Sequence, residues 1–221
     1  FPPTRCHSVP NGIPPLSSAD DEVKDLRHLF AIPPGKLIII MTGRGHRYKG
    51  VDFILQCMAY LFSLGNKNFH FLFIGEGPDL VLFRKIADKL GIIGNCPFPV
   101  QRQDISMLLR GADLAMHPSH GEVGYSLSIL EYMRAGLPVV VPNNPSVCGA
   151  TQHGITGLVY QEGNVQAASS MLLRLESDAE LRRWMGEKAR IAVRKYSLAS
   201  THQALLEAFE KISKRSVSDS K

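Results

Sequence analysis

Residues 37–50, LIIIMTGRGHRYKG, join a short apolar run to a loop that is rich in glycine and basic residues. The apolar run at 37–41 is continuous rather than alternating, which is typical of a strand covered on both faces in a parallel sheet. Apolar residues then recur at spacings of three, four and seven from Val51 to Phe62, which predicts a helix. This order of strand, loop and helix predicts the first unit of an α/β fold.

The same order of elements recurs along the chain. Further strands are predicted at residues 69–74, 96–98, 114–117, 138–141 and 157–160, and helices at 79–90, 105–111, 126–135, 165–177, 179–195 and 198–213. This alternation predicts a Rossmann-like, doubly wound parallel sheet. Ligands of such folds bind outside the carboxyl ends of the strands, so the loops that follow the strands should hold the functional residues.

Composition excludes several other classes of protein. The chain has 221 residues, of which 44% are hydrophobic and 20% charged, as in ordinary soluble globular proteins. Its most conspicuous apolar run is far shorter than the roughly 20 residues that span a bilayer. The net charge of +5 would suit a phosphate-bearing ligand or an anionic surface and is too diffuse to indicate nucleic acid.

The four cysteines, Cys6, Cys57, Cys96 and Cys148, have no CxxC spacing. Neither a zinc site nor a disulfide framework is expected, and the pattern favours reduced thiols in a cytoplasmic protein.

The loop at residues 42–50 excludes two common phosphate-binding motifs. A GxGxxG motif starting at Gly43 would need glycine in place of Tyr48, and a P-loop would need Ser or Thr in place of Gly50. An NAD-dependent dehydrogenase and a P-loop NTPase are therefore disfavoured. The loop still offers Arg44 and Lys49, which would suit a diphosphate, although two basic residues in a loop are also compatible with solvated surface charge.

The second informative loop is residues 118–136, PSHGEVGYSLSILEYMRAG. A helix is predicted to begin at Tyr125 or Ser126, and its first amides would suit phosphate oxygens. Glu131 lies about one and a half turns inside this helix and Glu122 lies before it. Two carboxylates beside an anion site are unfavourable unless they accept hydrogen bonds from hydroxyl groups. We therefore expect a nucleotide sugar, with its ribose at Glu131 and its hexose toward Glu122.

Two other patterns allow more than one interpretation. His117, His120 and Glu122 have the spacing HxxHxE of metal ligands, but no further ligands accompany them, so no metal is expected. His117 is instead expected to end a buried strand and His120 to line the loop, where contact with substrate stays open. The sequence GEGP at residues 75–78 is either a structural turn or a close approach of the backbone to the ligand.

The chain also resembles a known family. The motifs are VPNGI at 9–13, GR at 43–44 with KG at 49–50, IGEGP at 74–78, PS at 118–119 with Glu122, LEYMRAGLPVV at 130–140 and GITGLV at 154–159. Together they resemble the C-terminal half of the retaining GT-B glycosyltransferases known as group 1 or family 4. The resemblance implies one half of a GT-B fold that binds a nucleoside-diphosphate sugar.

The resemblance also implies roles for individual residues. Arg44, Lys49 and Glu122 are the implied catalytic residues, with the two cations on the diphosphate and Glu122 at the sugar. The implied donor-binding residues are Gly43, Val100, Gly124, Tyr125, Ser126, Leu127 and Glu131. Of these, Val100 lies in a loop at the base, the amides at 124–127 bind phosphate and Glu131 binds ribose.

Three places in the chain depart from the family pattern, and one of them is the sequence NNPS at residues 143–146, which replaces a turn that usually contains glycine. The paired glutamates of the family are usually separated by seven residues, whereas eight separate Glu122 from Glu131, so that Val123 stands where the first glutamate usually lies. Val100 stands where glycine is frequent. These changes leave the sugar unidentified.

The function expected from the resemblance is transfer of a hexosyl group from a nucleoside-diphosphate sugar to a glycan or lipid-linked acceptor with retention of configuration, as in polysaccharide biosynthesis. No metal or other cofactor and no nucleic acid partner is expected. The alternatives are a sugar-nucleotide-binding module without transferase activity and a GT-B epimerase or phosphorylase.

Domain organisation follows from the start of the chain, which has neither an initiator methionine nor a signal pattern and is expected to be a cut end. Residues 1–35 are expected to arrive from a missing N-terminal acceptor domain, 36–196 to form the donor-binding domain, and 197–221 to form a final helix and tail. The isolated chain is expected to bind donor without turnover. We expect it in the cytoplasm, where Lys211, Lys214 and Arg215 would suit peripheral contact with an anionic membrane or serve solubility alone.

Overall fold

The computed structural model describes residues 9–15, 23–99, 102–120 and 126–218. Its centre is a five-stranded parallel sheet with the strand order β2-β1-β3-β4-β5. The strands are β1 (Leu37–Thr42), β2 (Phe69–Ile74), β3 (Leu114–Met116), β4 (Val139–Pro142) and β5 (Gly157–Tyr160). The predicted Rossmann-like, doubly wound α/β fold is confirmed.

Helices cover both faces of this sheet. They are α1 (Leu26–Leu29), α2 (Val51–Ser63), α3 (Leu80–Lys89), α4 (Ile105–Arg110), α5 (Leu127–Arg134), α6 (Pro145–Cys148), α7 (Val165–Ser177), α8 (Ala179–Ala192) and α9 (Leu198–Ser218). Short 3₁₀ turns occupy Arg47–Lys49, Ile93–Asn95 and Val193–Tyr196.

The continuous apolar run of β1 supplies both cores. Ile39 and Met41 pack on the face that carries α2, α3 and α7, while Ile38 and Ile40 pack on the face that carries α1, α4 and α5. Successive side chains of a strand point to opposite faces, so a strand between two helical layers is apolar at nearly every position.

The topology places a crevice beside β1. From β1 the chain crosses one face through α2 to β2, and it returns over the other face through α4 to β3, which pairs with the other side of β1. The strand order therefore reverses at β1. The carboxyl ends of β1 and β3 flank the crevice where ligands of doubly wound folds bind.

Apart from one-residue shifts at the ends of elements and the short helices α1 and α6, which the sequence did not predict, three details differ from the sequence prediction. Residues 96–98 form no strand: Phe73 donates a backbone hydrogen bond to Pro97 at 3.3 Å, but Pro97 and Pro99 have no N–H to continue a ladder. The predicted helix at 179–195 ends at Ala192 and continues as a 3₁₀ turn, and the final helix extends beyond the predicted 213 to Ser218.

The segment at residues 9–15 lies against the start of α9. The N–H of Ile13 donates to the carbonyl of Tyr196 at 2.9 Å, and the hydroxyl of Thr201 donates to the carbonyl of Pro10 at 3.0 Å. The beginning of the described chain and its last helix therefore meet at one place.

Cys57, Cys96 and Cys148 are free thiols, as predicted, and Cys6 lies outside the described residues. Burial raises the pKa of Cys57 and of Cys96 to about 12.

None of the helices in the described ranges is long and apolar enough to cross a bilayer.

Candidate functional site

The loop after β1 lies directly against the loop after β2. The N–H of Gly45 donates to the carbonyl of Glu76 at 2.6 Å, and the N–H of Asp79 donates to the carbonyl of Gly45 at 3.0 Å. A Cβ atom at position 75 would collide with the carbonyl of Gly43, and one at position 77 would collide with the backbone of Gly45. Gly75 and Gly77 therefore allow two backbones to approach closely, which supports the structural reading of the GEGP sequence.

The same loop is also tied to the loop after β3. The carbonyl of Tyr48 accepts hydrogen bonds from the N–H of His120 at 2.8 Å and from the hydroxyl of Ser119 at 3.3 Å. Gly50 has a φ of 78° and packs against the carbonyl of Pro118, a place that leaves no room for a side chain. These contacts hold Lys49 beside the crevice between β1 and β3. Its ammonium lies 5.2 Å from the centre of the Tyr48 ring.

Helix α5 is anchored to the end of β1 by a buried tyrosine. The hydroxyl of Tyr132 accepts a hydrogen bond from the N–H of Thr42 at 2.7 Å and donates to the carbonyl of Thr42 at 3.1 Å. Burial raises the pKa of Tyr132 to about 12, so the hydroxyl keeps the proton that it donates.

Ser126 stands at the N-cap of α5 without capping it. Its hydroxyl lies 3.2 Å from Nε2 of the buried His117 and makes no hydrogen bond to the first amides of the helix. Those amides carry the positive end of the helix dipole and suit an anion. Leu127, the first residue of the helix, is 49% exposed at this end.

A cavity of about 470 Å³ opens where these elements converge. Its lining residues are Thr42, Gly43, Arg44, Ile74, Glu76, Ile105, Ser128 and Glu131. Three of the predicted site residues, Gly43, Arg44 and Glu131, therefore share one cavity. Arg44 is exposed, and within the described ranges its guanidinium makes no hydrogen bond or ion pair.

Glu131 is half-buried in this cavity, and its carboxylate accepts no hydrogen bond from the residues that the structure describes. Burial raises its pKa, and the nearby Arg134 offsets part of that rise. A carboxylate that has lost water without gaining a donor is well suited to accept hydrogen bonds from the hydroxyls of a ligand.

Sequence reasoning missed several residues of the cavity. Ser128 lies three positions before Glu131, so both lie on one face of α5, and this spacing could have identified it. Glu76 could have been found from its position in the loop after β2. No local pattern indicated Ile105, which reaches the cavity from the start of α4.

The structure does not describe four of the predicted site residues. Val100, Glu122, Gly124 and Tyr125 lie outside the described residues. The described ranges contain no group of three His, Cys, Asp or Glu side chains arranged to hold a metal ion.

Comparison with known proteins identifies the family. The model of the family described as glycosyl transferases group 1 matches residues 23–192. The chain belongs to the group 1 glycosyltransferases. This family assignment confirms the resemblance found in the sequence motifs.

Two curated proteins show how similar the chain is to other members of the family. It is 26% identical over 172 residues to N-acetyl-alpha-D-glucosaminyl L-malate synthase of Bacillus anthracis, covering 78% of this chain and 44% of the relative. It is 29% identical over 151 residues to the lipopolysaccharide glucosyltransferase WaaG of Escherichia coli K12, covering 66% of this chain and 39% of the relative. The chain thus matches less than half the length of each.

Solved structures support the fold assignment. The structure of Anabaena Alr3699/HepE in complex with UDP matches with a TM-score of 0.79 and 20% identity, over 90% of this chain and 56% of that one. The structure of WaaG matches with a TM-score of 0.70 and 23% identity, over 89% of this chain and 54% of that one. The group 1 chain therefore has the architecture of one half of a GT-B fold.

Proposed function

We propose that this chain is the donor-binding half of a glycosyltransferase that transfers a hexosyl group from a nucleoside-diphosphate sugar to a glycan or lipid-linked acceptor, with retention of configuration. The observation that carries the proposal is the shared cavity of Arg44 and Glu131 at the carboxyl end of β1. Among the described residues, the guanidinium of Arg44 has no partner and the desolvated carboxylate of Glu131 has no donor, so the two groups complement the diphosphate and the ribose of a nucleoside diphosphate. Family membership supports the same choice of ligand.

The proposed chemistry is electrostatic stabilisation of the leaving group. Arg44, Lys49 and the first amides of α5 stabilise the charge that develops on the departing diphosphate, while Glu131 binds the ribose hydroxyls. The leaving phosphate is then placed to collect the proton of the acceptor. Glu122 is proposed to contact the sugar, Val100 to lie at the base, and the amides at 124–127 to bind phosphate.

These cations and amides carry out the role that a metal ion has in many phosphate sites, so donor binding is proposed to need no metal. Adding EDTA to the protein should leave the affinity for nucleoside diphosphate unchanged. A loss of affinity that added Mg²⁺ or Mn²⁺ restores would contradict this part of the proposal.

The proposal includes a second, acceptor-binding domain, N-terminal to the donor-binding half and followed by the segment at residues 1–35, as the family resemblance implies. Turnover is expected only from a protein that contains both halves. The proposed location is the cytoplasm.

The test is titration calorimetry of the chain with UDP, GDP and ADP. UDP is the first choice because the similar HepE protein was solved with UDP and with UDP-glucose. Arg44→Ala and Lys49→Ala should each weaken binding by about tenfold to a hundredfold, the value of one charge-assisted hydrogen bond. Arg183→Ala, which removes an exposed arginine from α8, is the matched control and should bind like the unmodified chain. Unchanged affinity in both site variants would refute the assignment.

The spacing between the two glutamates favours a second candidate, a sugar-nucleotide-binding module without transferase activity. Eight residues separate Glu122 from Glu131 instead of the usual seven. The two candidates are separated by assaying transfer in the full-length protein. Activity that is lost when Glu122 or Glu131 is replaced would reject the binding module.

A further inference from the structure

A cluster of polar side chains joins the carboxyl ends of β3, β4 and β5. Nδ1 of His120 lies 2.7 Å from Oε1 of Glu162, and the amide of Asn144 donates to the same oxygen at 3.4 Å. The N–H of Glu162 donates to the side-chain oxygen of Asn143 at 2.9 Å, which fixes the loop after β5. We call His120, Asn143, Asn144 and Glu162 the Glu162 cluster.

The Glu162 cluster leaves two polar atoms open to a ligand. Oε2 of Glu162 and Nε2 of His120 make no hydrogen bond with any residue in the described ranges. The side chains of Glu162 and His120 are 36% and 52% exposed, so both are accessible to solvent. Oε1 and Nδ1 hydrogen-bond each other, and the remaining carboxylate oxygen and imidazole nitrogen are suited to hydroxyl groups of a ligand.

The position of the cluster relates it to the proposed donor site. The backbone N–H of His120 donates to the carbonyl of Tyr48, so the cluster lies beside the loop that carries Lys49. The cavity that contains Glu131 lies on the other side of the crevice, toward the end of β2. In the strand order β2-β1-β3-β4-β5, the cluster lies on the side of the crevice away from β2, so a nucleotide sugar with its nucleoside in this cavity and its diphosphate in the crevice would have its sugar on the side of the Glu162 cluster.

We propose that Glu162 and His120 bind hydroxyl groups of the transferred sugar, and that the Glu162 carboxylate selects a neutral hexose against a hexuronate. This inference rests on the proposed function. A hexuronate would bring a second carboxylate to the site, and two carboxylates repel each other and cannot donate hydrogen bonds to one another. A neutral hexose instead offers hydroxyl donors.

The inference is tested by measuring the dissociation constants of UDP, UDP-glucose and UDP-glucuronate with the 221-residue chain. In the unmodified chain, UDP-glucose should bind more tightly than UDP-glucuronate. Glu162→Gln, which removes the charge and keeps the shape, should reduce this preference about fivefold, the effect of one charge pair near water. Its affinity for UDP should not change. If GDP or ADP is the nucleotide that binds, GDP-mannose and GDP-mannuronate, or ADP-glucose and ADP-glucuronate, replace the uridine pair.

His120→Phe provides an independent test, because it removes the imidazole nitrogens and keeps an aromatic ring. This variant should bind UDP-glucose severalfold more weakly than the unmodified chain, and its affinity for UDP should not change. Glu187→Gln is the matched control. Glu187 is exposed on α8, and the centre of this helix packs near Gly136, which precedes the amino end of β4.

The outcomes separate the two proposals. If a nucleoside diphosphate binds but neither Glu162→Gln nor His120→Phe changes the ratio between nucleotide and nucleotide sugar, the Glu162 cluster does not bind the sugar and the proposed function stands. If UDP, GDP and ADP all fail to bind, the proposed function is refuted and this inference with it.

Discussion

The side chain of Tyr132 is hydrogen-bonded to both backbone groups of Thr42, although 90 positions separate the two residues. These two hydrogen bonds join α5 to the last residue of β1. The loop with Gly43 and Arg44 begins immediately after that residue. One buried hydroxyl therefore sets the distance between the two elements that line the candidate site.

Replacing Tyr132 with phenylalanine should lower the free energy of unfolding by about 1–3 kcal/mol, because the buried N–H of Thr42 loses its side-chain partner. The affinity for nucleoside diphosphate should fall as well, because the loop after β1 is no longer held to α5. Urea denaturation and calorimetry measure the two effects. Tyr60→Phe, which removes the hydroxyl of a half-buried tyrosine in α2, is the control and should change neither value. Equal stability of Tyr132→Phe and the unmodified chain would contradict the anchoring role.

Glu131→Gln should stabilise the chain while weakening its binding to nucleotide. Burial raises the pKa of Glu131 above the usual 4.5, so the ionised form is less favourable in the folded than in the unfolded chain. The cost is present once pH rises above the folded-state pKa, and it disappears as pH falls below the unfolded-state value.

The melting temperature of Glu131→Gln should therefore exceed that of the unmodified chain by roughly 1–2 °C at pH 7.5, and the difference should vanish near pH 4. Differential scanning calorimetry across this range measures it. A variant that melts lower than the unmodified chain at pH 7.5 would show that the carboxylate is stabilising instead.

Gly75→Ala should disturb the candidate site from outside it. The added methyl group would collide with the carbonyl of Gly43, a backbone atom that cannot rotate away. We expect a loss of about 2 kcal/mol or more in stability, together with weaker nucleotide binding. Gly94→Ala is the control, because a Cβ atom at position 94 meets nothing within 4 Å. The close approach of the two loops would be unimportant if both variants behaved alike.

His70 should make stability depend on pH. It is buried in β2, and burial lowers its pKa below the usual 6.5, with the charge of Lys36 adding to the effect. The unfolded chain therefore binds a proton at higher pH than the folded chain does. The stability contributed by the neutral ring is complete above about pH 6.5 and is lost as pH falls through the lowered folded-state pKa.

Between pH 7.5 and 5.0 the melting temperature of the unmodified chain should fall by about 2 °C more than that of His70→Gln. His28→Gln, which changes an exposed histidine, should keep the full pH dependence. If the melting temperatures of His70→Gln and of the unmodified chain fall by the same amount between pH 7.5 and 5.0, His70 does not have this role.

Local sequence predicted the elements that have one dominant physical signal. The apolar run of β1, and that of β2, which only His70 interrupts, indicated strands with two covered faces, and each of these strands contributes to both cores. The predicted strand at 96–98 was wrong because a short apolar stretch has no distinguishing period, and because its prolines have no N–H for a ladder.

For the candidate site, the sequence determined which loops carry function. Arg44 and Glu131 could be chosen because the carboxyl ends of parallel strands converge, and this general rule needs no knowledge of side-chain contacts. Only the tertiary structure decided how Tyr132 reaches Thr42 and how Glu162 reaches His120. Such contacts join residues far apart in the chain, and they depend on strand order and helix packing, which no local pattern of residues records.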